Sequence, residues 1–267
     1  MQSRVVLVTG AAGGIGSAIT KALIAAGHSV AAVDRDTAAL ARLPASERIQ
    51  PIMADLANEA ACREAVASAV ARFGRLEAVI NNAGIGMSSL RGDAEKNVPG
   101  IEELTADVWD RFYAVNVRGH ILVTQAALPH MRERGFGRII NNTTSFRTML
   151  RVLPYGATKS ALESMSAVWA KELEGSGITV NVLIPGGPTD TPFISDDAGW
   201  DRARMLQPAI MGPPACWLIS DEAADYTGNR IIAANWDGEL PGREAAAKAG
   251  RAIGWPELGA DAVWLKG

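Results

Sequence analysis

Short apolar runs alternate along the chain with longer stretches whose apolar residues recur at helical spacing. Residues 5–8, 30–33, 49–54, 76–80, 138–142, 179–184 and 230–234 read as buried strands. The segments between them read as helices: 15–26, closed by Gly27; 37–43; and 58–73, closed by Gly74. A further helix, capped by Thr105, carries Trp109 and Phe112 toward Asn116, and its apolar spacing resumes from 117 to 131. Residues 155–173 form a long helix, and another holds Trp217 and Leu218. This alternation predicts a doubly wound α/β fold with helices on both faces of a parallel sheet. Two connections, 85–104 and 189–213, exceed ordinary loop lengths and read as pocket walls or substrate covers. Beyond 238 the pattern turns loop-rich, so 239–267 is taken as an extension of a single domain spanning 1–238.

The first strand runs into a turn containing Gly10, Gly13, Gly14 and Gly16, which opens the first helix. Glycines there let the backbone bend and approach a ligand, and unpaired N–H groups at the helix start favour a pyrophosphate. The second strand ends in Asp34, about 20 residues further on, the spacing at which a carboxylate binds both hydroxyls of an adenosine ribose. A surface acid at a strand end is the plainer alternative. The fourth strand runs into Asn81-Asn82-Ala83-Gly84, a small-residue turn on the side of the sheet where such folds bind ligands. Together these features predict a dinucleotide site.

Composition narrows the class. With 267 residues and 48% hydrophobic content the chain can bury one sizeable core. A net charge of −3 with interspersed acids and bases argues against nucleic acid as a partner. Cys62 and Cys216 lack metal-ligand spacing, so no metal site is expected and they read as free thiols in a reducing compartment. The sequence shows neither a signal-peptide core nor an apolar run of bilayer length, and the expected location is the cytoplasm, away from the membrane.

Tyr155 and Lys159 lie four apart at the start of a helix and project from one face. Such a pair is expected only about 0.07 times by chance in this composition. A free phenol titrates near 10, and an adjacent ammonium favours the phenolate. Lys159 is therefore expected to lower the Tyr155 pKa and make it a usable proton acceptor.

With these motifs in this order the chain resembles the classical short-chain dehydrogenase/reductase family from Val5 to about Trp236. The family's signature stands as Thr9-Gly10-Ala11-Ala12-Gly13-Gly14-Ile15-Gly16, followed by Asn82-Ala83-Gly84, Asn116, Tyr155-x-x-x-Lys159 and Pro185-Gly186. The resemblance implies a Rossmann-type fold with a seven-stranded parallel sheet, a nicotinamide cofactor and a homo-tetramer or dimer. It also implies Tyr155 as acid/base, Lys159 lowering its pKa and holding the nicotinamide ribose, and Asn116 anchoring a proton-relay water. Cofactor contacts are implied at Gly10, Gly14, Ile15 and Gly16, at Asp55-Leu56 for the adenine, and at Asn82, Ala83 and Gly84. Asp34 resembles the family's marker for NAD over NADP, while Arg35 beside it is the group that would serve a 2′-phosphate.

Three positions depart from the family's pattern. Its usual catalytic Ser aligns with Thr144; Ser145 is the alternative, and loss of the role is the third reading. After Pro185-Gly186, Thr191 comes one residue late for its contact to the nicotinamide carboxamide, and Pro188 removes a backbone donor. The usual Asp-Gly-Gly is replaced by Trp236-Asp237-Gly238, and a tail with Trp255 and Trp264 continues, positioned to cover a neighbouring subunit or close the pocket. The expected activity is NAD(P)-dependent interconversion of a secondary alcohol (a polyol, a sugar acid or a similar hydroxylated small molecule) and its ketone. Arg147 and Arg151 either bind an anionic substrate or are solvated loop charges. The competing readings are a non-catalytic nucleotide sensor or scaffold, an epimerase using the same Tyr, and a reductase of bulky hydrophobic ketones.

Overall fold

Alternate side chains of the first strand, β1 (Val5–Thr9), enter opposite layers. Val6 and Val8 pack with Ile19 and Leu23, whereas Val5 and Leu7 pack with Val66 and Val123. Burial on both faces is what a central parallel strand requires, and it explains the unbroken apolar run. The structure, a computed structural model, describes residues 2–259. After β1 come α1 (Gly14–Ala25), β2 (Ser29–Asp34), α2 (Thr37–Leu40), β3 (Ile49–Met53), α3 (Glu59–Phe73) and β4 (Ala78–Asn81). Next are α4 (Ala106–Tyr113), a π-helical turn over Ala114–Arg118, α5 (Gly119–Arg134), β5 (Gly137–Asn142), α6 (Phe146–Met149), α7 (Tyr155–Glu172) and β6 (Ile178–Ile184). The chain continues through α8 (Gly212–Leu218), β7 (Asn229–Ile232), α9 (Gly242–Ala249), β8 (Gly250–Ala252) and α10 (Pro256–Gly259).

The strands form one sheet in the order β3-β2-β1-β4-β5-β6-β7-β8. Chain direction across the sheet reverses between β1 and β4, which opens a crevice above their carboxyl ends. Two expectations are corrected here. The sheet has eight strands, not seven, and β8 runs antiparallel to β7 with Arg230 opposite Arg251. The stretch read as loop-rich also contains α9, whose Ala245, Ala246 and Ala249 are buried. Neither announced itself, because β8 is three residues long with two of them exposed, and α9 buries only alanines. The fourth strand begins at Ala78 rather than 76 and the seventh ends at Ile232, after which the chain makes a short turn. Trp264 lies outside the described residues.

Both long connections are irregular apart from short 3-10 turns, and the later one ends where α8 begins at Gly212. Arg202 organises the later one, pairing with Asp190 at 2.7 Å and Asp196 at 2.6 Å and donating to the Ile194 carbonyl at 2.8 Å. Among the described residues no helix is long and apolar enough to cross a membrane.

Candidate active site

A cavity of about 840 Å³ follows the carboxyl ends of β1 to β6. Each residue assigned above to the cofactor, from Gly10 through Thr191, lines it. The Gly-rich turn folds back on itself so closely that a Cβ on Gly16 would stand 1.9 Å from the Gly10 carbonyl. Gly10 itself has φ of 62° and packs against the Ala83 backbone. Thr9 locks the two turns together: its hydroxyl accepts from the N–H groups of Asn82 and Ala83, both at 3.0 Å. The Asn82 amide donates back to the Thr9 carbonyl at 3.0 Å. Gly13 offers α1 no side-chain cap, so the helix's first N–H groups are left for an anion. The Asp34 carboxylate is fixed beside this turn, accepting from Ala12 N at 3.0 Å and Asp36 N at 3.1 Å. Arg35 is exposed next to it.

Tyr155 opens α7, and Lys159 follows one turn later on the same face. The Lys159 ammonium group donates to the Asn142 carbonyl at 2.7 Å and lies 5.8 Å from the Tyr155 ring centre. The two groups titrate differently from the expectation. Burial pushes the Tyr155 phenol up to about 12, with the Thr144 hydroxyl pulling it the other way, and burial pulls Lys159 down to about 7. Both sit in the wall of the cleft, where removal from water disfavours each charged form, so desolvation outweighs the pull expected of the lysine.

Of the three hydroxyls after β5, Thr144's is the one that acts on the Tyr155 phenol, favouring its charged form. Thr143 donates to Glu163 at 2.7 Å, while Ser145 caps α6 by accepting from Thr148 N at 3.1 Å. Asn116 is fully buried and does not line the cavity. Its side chain accepts from Ile85 N at 2.8 Å and donates to the Ile85 carbonyl at 3.0 Å and to Thr158 Oγ1 at 3.1 Å. Thr191 is buried with its methyl against Gly14, over the start of α1.

The long connections meet above Tyr155. Ser88 Oγ donates to the Phe193 carbonyl at 2.8 Å, and the Phe193 ring lies 5.6 Å from that of Tyr155. Arg147 and Arg151 line the cavity, exposed, with no side-chain hydrogen bond or ion pair among the described residues. Sequence reasoning missed Glu95, which lines the same cavity with burial raising its pKa. It also missed His120, which donates from Nε2 to the Ala83 carbonyl at 2.9 Å. Burial pulls His120 to about 3, so it is neutral, and its place one turn after Asn116 was the available signal.

The model of the short chain dehydrogenase family matches residues 4–200. An uncharacterised oxidoreductase of Methylorubrum extorquens is 32% identical over 250 residues, covering 87% of this chain and 97% of that protein. L-fucose dehydrogenase of Oryctolagus cuniculus is 32% identical over 246 residues, covering 86% and 83%. Among solved structures, the 3-ketoacyl-(acyl-carrier-protein) reductase from Brucella melitensis complexed with NADH matches with a TM-score of 0.74 and 29% identity, over 86% of this chain and 96% of that one. The chain belongs to the short-chain dehydrogenase family, and it is an oxidoreductase of that family.

Proposed function

We propose that the protein is an NAD-dependent dehydrogenase that interconverts a small hydroxylated secondary alcohol, such as a polyol or sugar acid, and its ketone. One observation carries this reading: a single cavity holds Thr144, Tyr155 and Lys159 together with the Gly-rich turn and Asp34. The turn fits a dinucleotide, since its glycines let the backbone fold tightly at the cavity edge, and α1 presents N–H groups to a pyrophosphate. The Asp34 carboxylate suits two ribose hydroxyls and repels a 2′-phosphate, which favours NAD over NADP. The NADH named for the Brucella melitensis reductase supports the nicotinamide assignment.

A bound nicotinamide would supply hydride exchange with the substrate carbon. The chain's own residues manage the proton. With its pKa near 12, Tyr155 rests protonated and can give its proton to a carbonyl oxygen. The Thr144 hydroxyl hydrogen-bonds that same oxygen, and Lys159 in its ammonium form stabilises the phenolate left behind. In the oxidising direction the phenolate must form first, which demands higher pH. Asn116 and Thr191 act from the wall, bracing Ile85 and the start of α1. Arg147, Arg151 and Glu95 give the cavity a polar, charged side suited to hydroxylated or acidic substrates, and the L-fucose dehydrogenase name supports a sugar-like one. The same cavity is also lined by Met87, Val152, Phe193 and Trp200, which would suit a bulkier apolar ketone. A cytoplasmic homo-tetramer or dimer is proposed with this reading.

The test is absorbance of the reduced nicotinamide when purified protein meets NAD or NADP with a panel of polyols, sugar acids, secondary alcohols and apolar ketones. Turnover of polar alcohols with NAD, lost in Tyr155→Phe, is the expected result. NADH binding without any turnover would overturn it in favour of a nucleotide sensor.

A further inference from the structure

Three successive residues at the end of β5 are each held by a different buried ionisable side chain. Lys159 holds the Asn142 carbonyl at 2.7 Å, Glu163 accepts from the Thr143 hydroxyl at 2.7 Å, and Arg230 donates to the Thr144 carbonyl at 2.8 Å. Lys159 and Glu163 lie one helical turn apart on α7, so one helix face serves two of these contacts. Arg230 comes from β7, distant in sequence.

Glu163 and Arg230 are themselves paired, Oε1 to Nε at 2.9 Å, with side chains 0% and 5% exposed. The carboxylate accepts a third hydrogen bond, from Gly254 N at 3.2 Å. The Arg230 guanidinium lies 4.1 Å from the Phe146 ring centre, and Trp255 covers that ring at 5.5 Å. The segment after β8 therefore closes over the pair. An ion pair buried this completely is a poor way to hold a fold together, because removing both ions from water costs about as much as their attraction returns. Apolar side chains of the same volume would fill the space equally well. They could not hold a hydroxyl, two N–H or C=O groups and an aromatic ring in fixed directions.

We propose that Glu163 and Arg230 are positioning residues for the reaction. They fix the backbone of Thr143 and Thr144 so that the Thr144 hydroxyl addresses the Tyr155 phenol and the reacting oxygen, while Gly254 and Trp255 seal the pair from water. The β-branched side chain completes the link: a threonine is stiff at χ1, so fixing its backbone also aims its hydroxyl. The proposal rests on the reading of Thr144 and Tyr155 given above.

The decisive variant is the double substitution Glu163→Leu with Arg230→Met, since either single change strands a buried charge and endangers folding. The chain has 3 Tyr, so fluorine NMR of protein labelled with 3-fluorotyrosine gives few resonances, with Tyr155 assigned by its loss in Tyr155→Phe. Thr144→Val provides the reference shift for a phenol without its hydroxyl neighbour. The double variant is expected to keep a melting temperature within a few degrees of wild type and to move the Tyr155 resonance as Thr144→Val does, leaving Tyr113 and Tyr226 in place. NADH-linked reduction of butane-2,3-dione is expected to lose at least tenfold in kcat with KM changed less than threefold, and Arg230→Lys to fall between. A folded double variant with the wild-type Tyr155 resonance overturns the proposal, as does a Thr144→Val that leaves the resonance unmoved. If wild type reduces no dione, the proposed reaction fails on that arm, and the resonance still decides the positioning role.

Discussion

The two halves of the sheet build their parts of the cleft from different materials. Around β1, β2 and β4 the ligand-facing groups are largely backbone: the start of α1, the Gly10 turn, and the Asn82–Ala83 segment latched by Thr9. Around β5, β6 and β7 they are side chains, Thr144, Tyr155 and Lys159, and these are backed by buried ionisable or strongly polar groups that do not line the cavity: Glu163, Arg230, Asn116 and His120. Holding a pyrophosphate needs only N–H groups aimed correctly, and a turn conformation sets those by itself. Moving a proton needs a shifted pKa and a fixed direction, which come from burial and from partners on several elements at once.

The contrast is broken or sharpened first by Tyr155→Phe. Removing the phenol hydroxyl is expected to lower turnover by about 10³ while leaving NADH affinity within twofold. Steady-state rates and a fluorescence titration of NADH check this, and a matching loss in both would mean that the halves are not separable. The complementary change is Gly16→Ala. A Cβ there meets the Gly10 carbonyl at 1.9 Å, so the turn must shift. Overpacking of this kind costs about 1–3 kcal/mol, so NADH binding is expected to weaken roughly 10- to 100-fold in the same titration, with the Tyr155 environment unchanged.

The same division decided what the sequence revealed. The half around β1, β2 and β4 was legible because a glycine turn, an acidic strand end and an Asn-Asn-Ala-Gly turn are local features, each readable from a few consecutive positions, and the fold brings them to one cavity. Asp34 and Gly16 stand where spacing put them. Tyr155 and Lys159 were legible for the same reason, being one turn apart on α7. Their titration was not. It depends on burial contributed by distant elements, and the lysine expected to pull the phenol down is itself desolvated. Glu163 and Arg230 were illegible because 67 residues separate them, and neither is remarkable until β7 lies beside α7. The eighth strand was hidden by its length, and Ser145 was separated from Thr144 only by the cap it provides to α6.

Buried ionisable groups should also make the catalytic half sensitive to pH. Lys159 sits near 7 in the folded protein against 10.5 ordinarily. Below about 7 folded and unfolded chains both carry its proton, and the lysine adds no pH dependence. Between those values only the unfolded chain binds the proton, so rising pH favours folding by up to about 1.4 kcal/mol per pH unit. Lys159→Met removes this contribution. Melting curves of cofactor-free protein from pH 6 to 9 should therefore show wild type gaining on the variant above about pH 7, and parallel curves would mean that the lysine titrates undisturbed.

The smallest effect is expected where the catalytic half meets solvent. Arg147 and Arg151 line the cavity but are exposed and, among the described residues, unpaired, so water and salt screen them. Exposed charge pairs contribute about 0–1 kcal/mol, and a substrate carboxylate meeting these guanidiniums should gain no more from each. Arg147→Ala with Arg151→Ala is thus expected to raise KM for sugar acids by about three- to tenfold, to leave kcat and neutral polyols alone, and to lose its effect as ionic strength rises. Equal losses for acids and neutral polyols would assign the arginines to loop packing, and a kcat loss would move them from the rim into the machinery that holds Thr144 and Tyr155. Either result would relocate the boundary between screened surface charge and buried, direction-setting charge, which in this chain runs between Ser145 and Arg147.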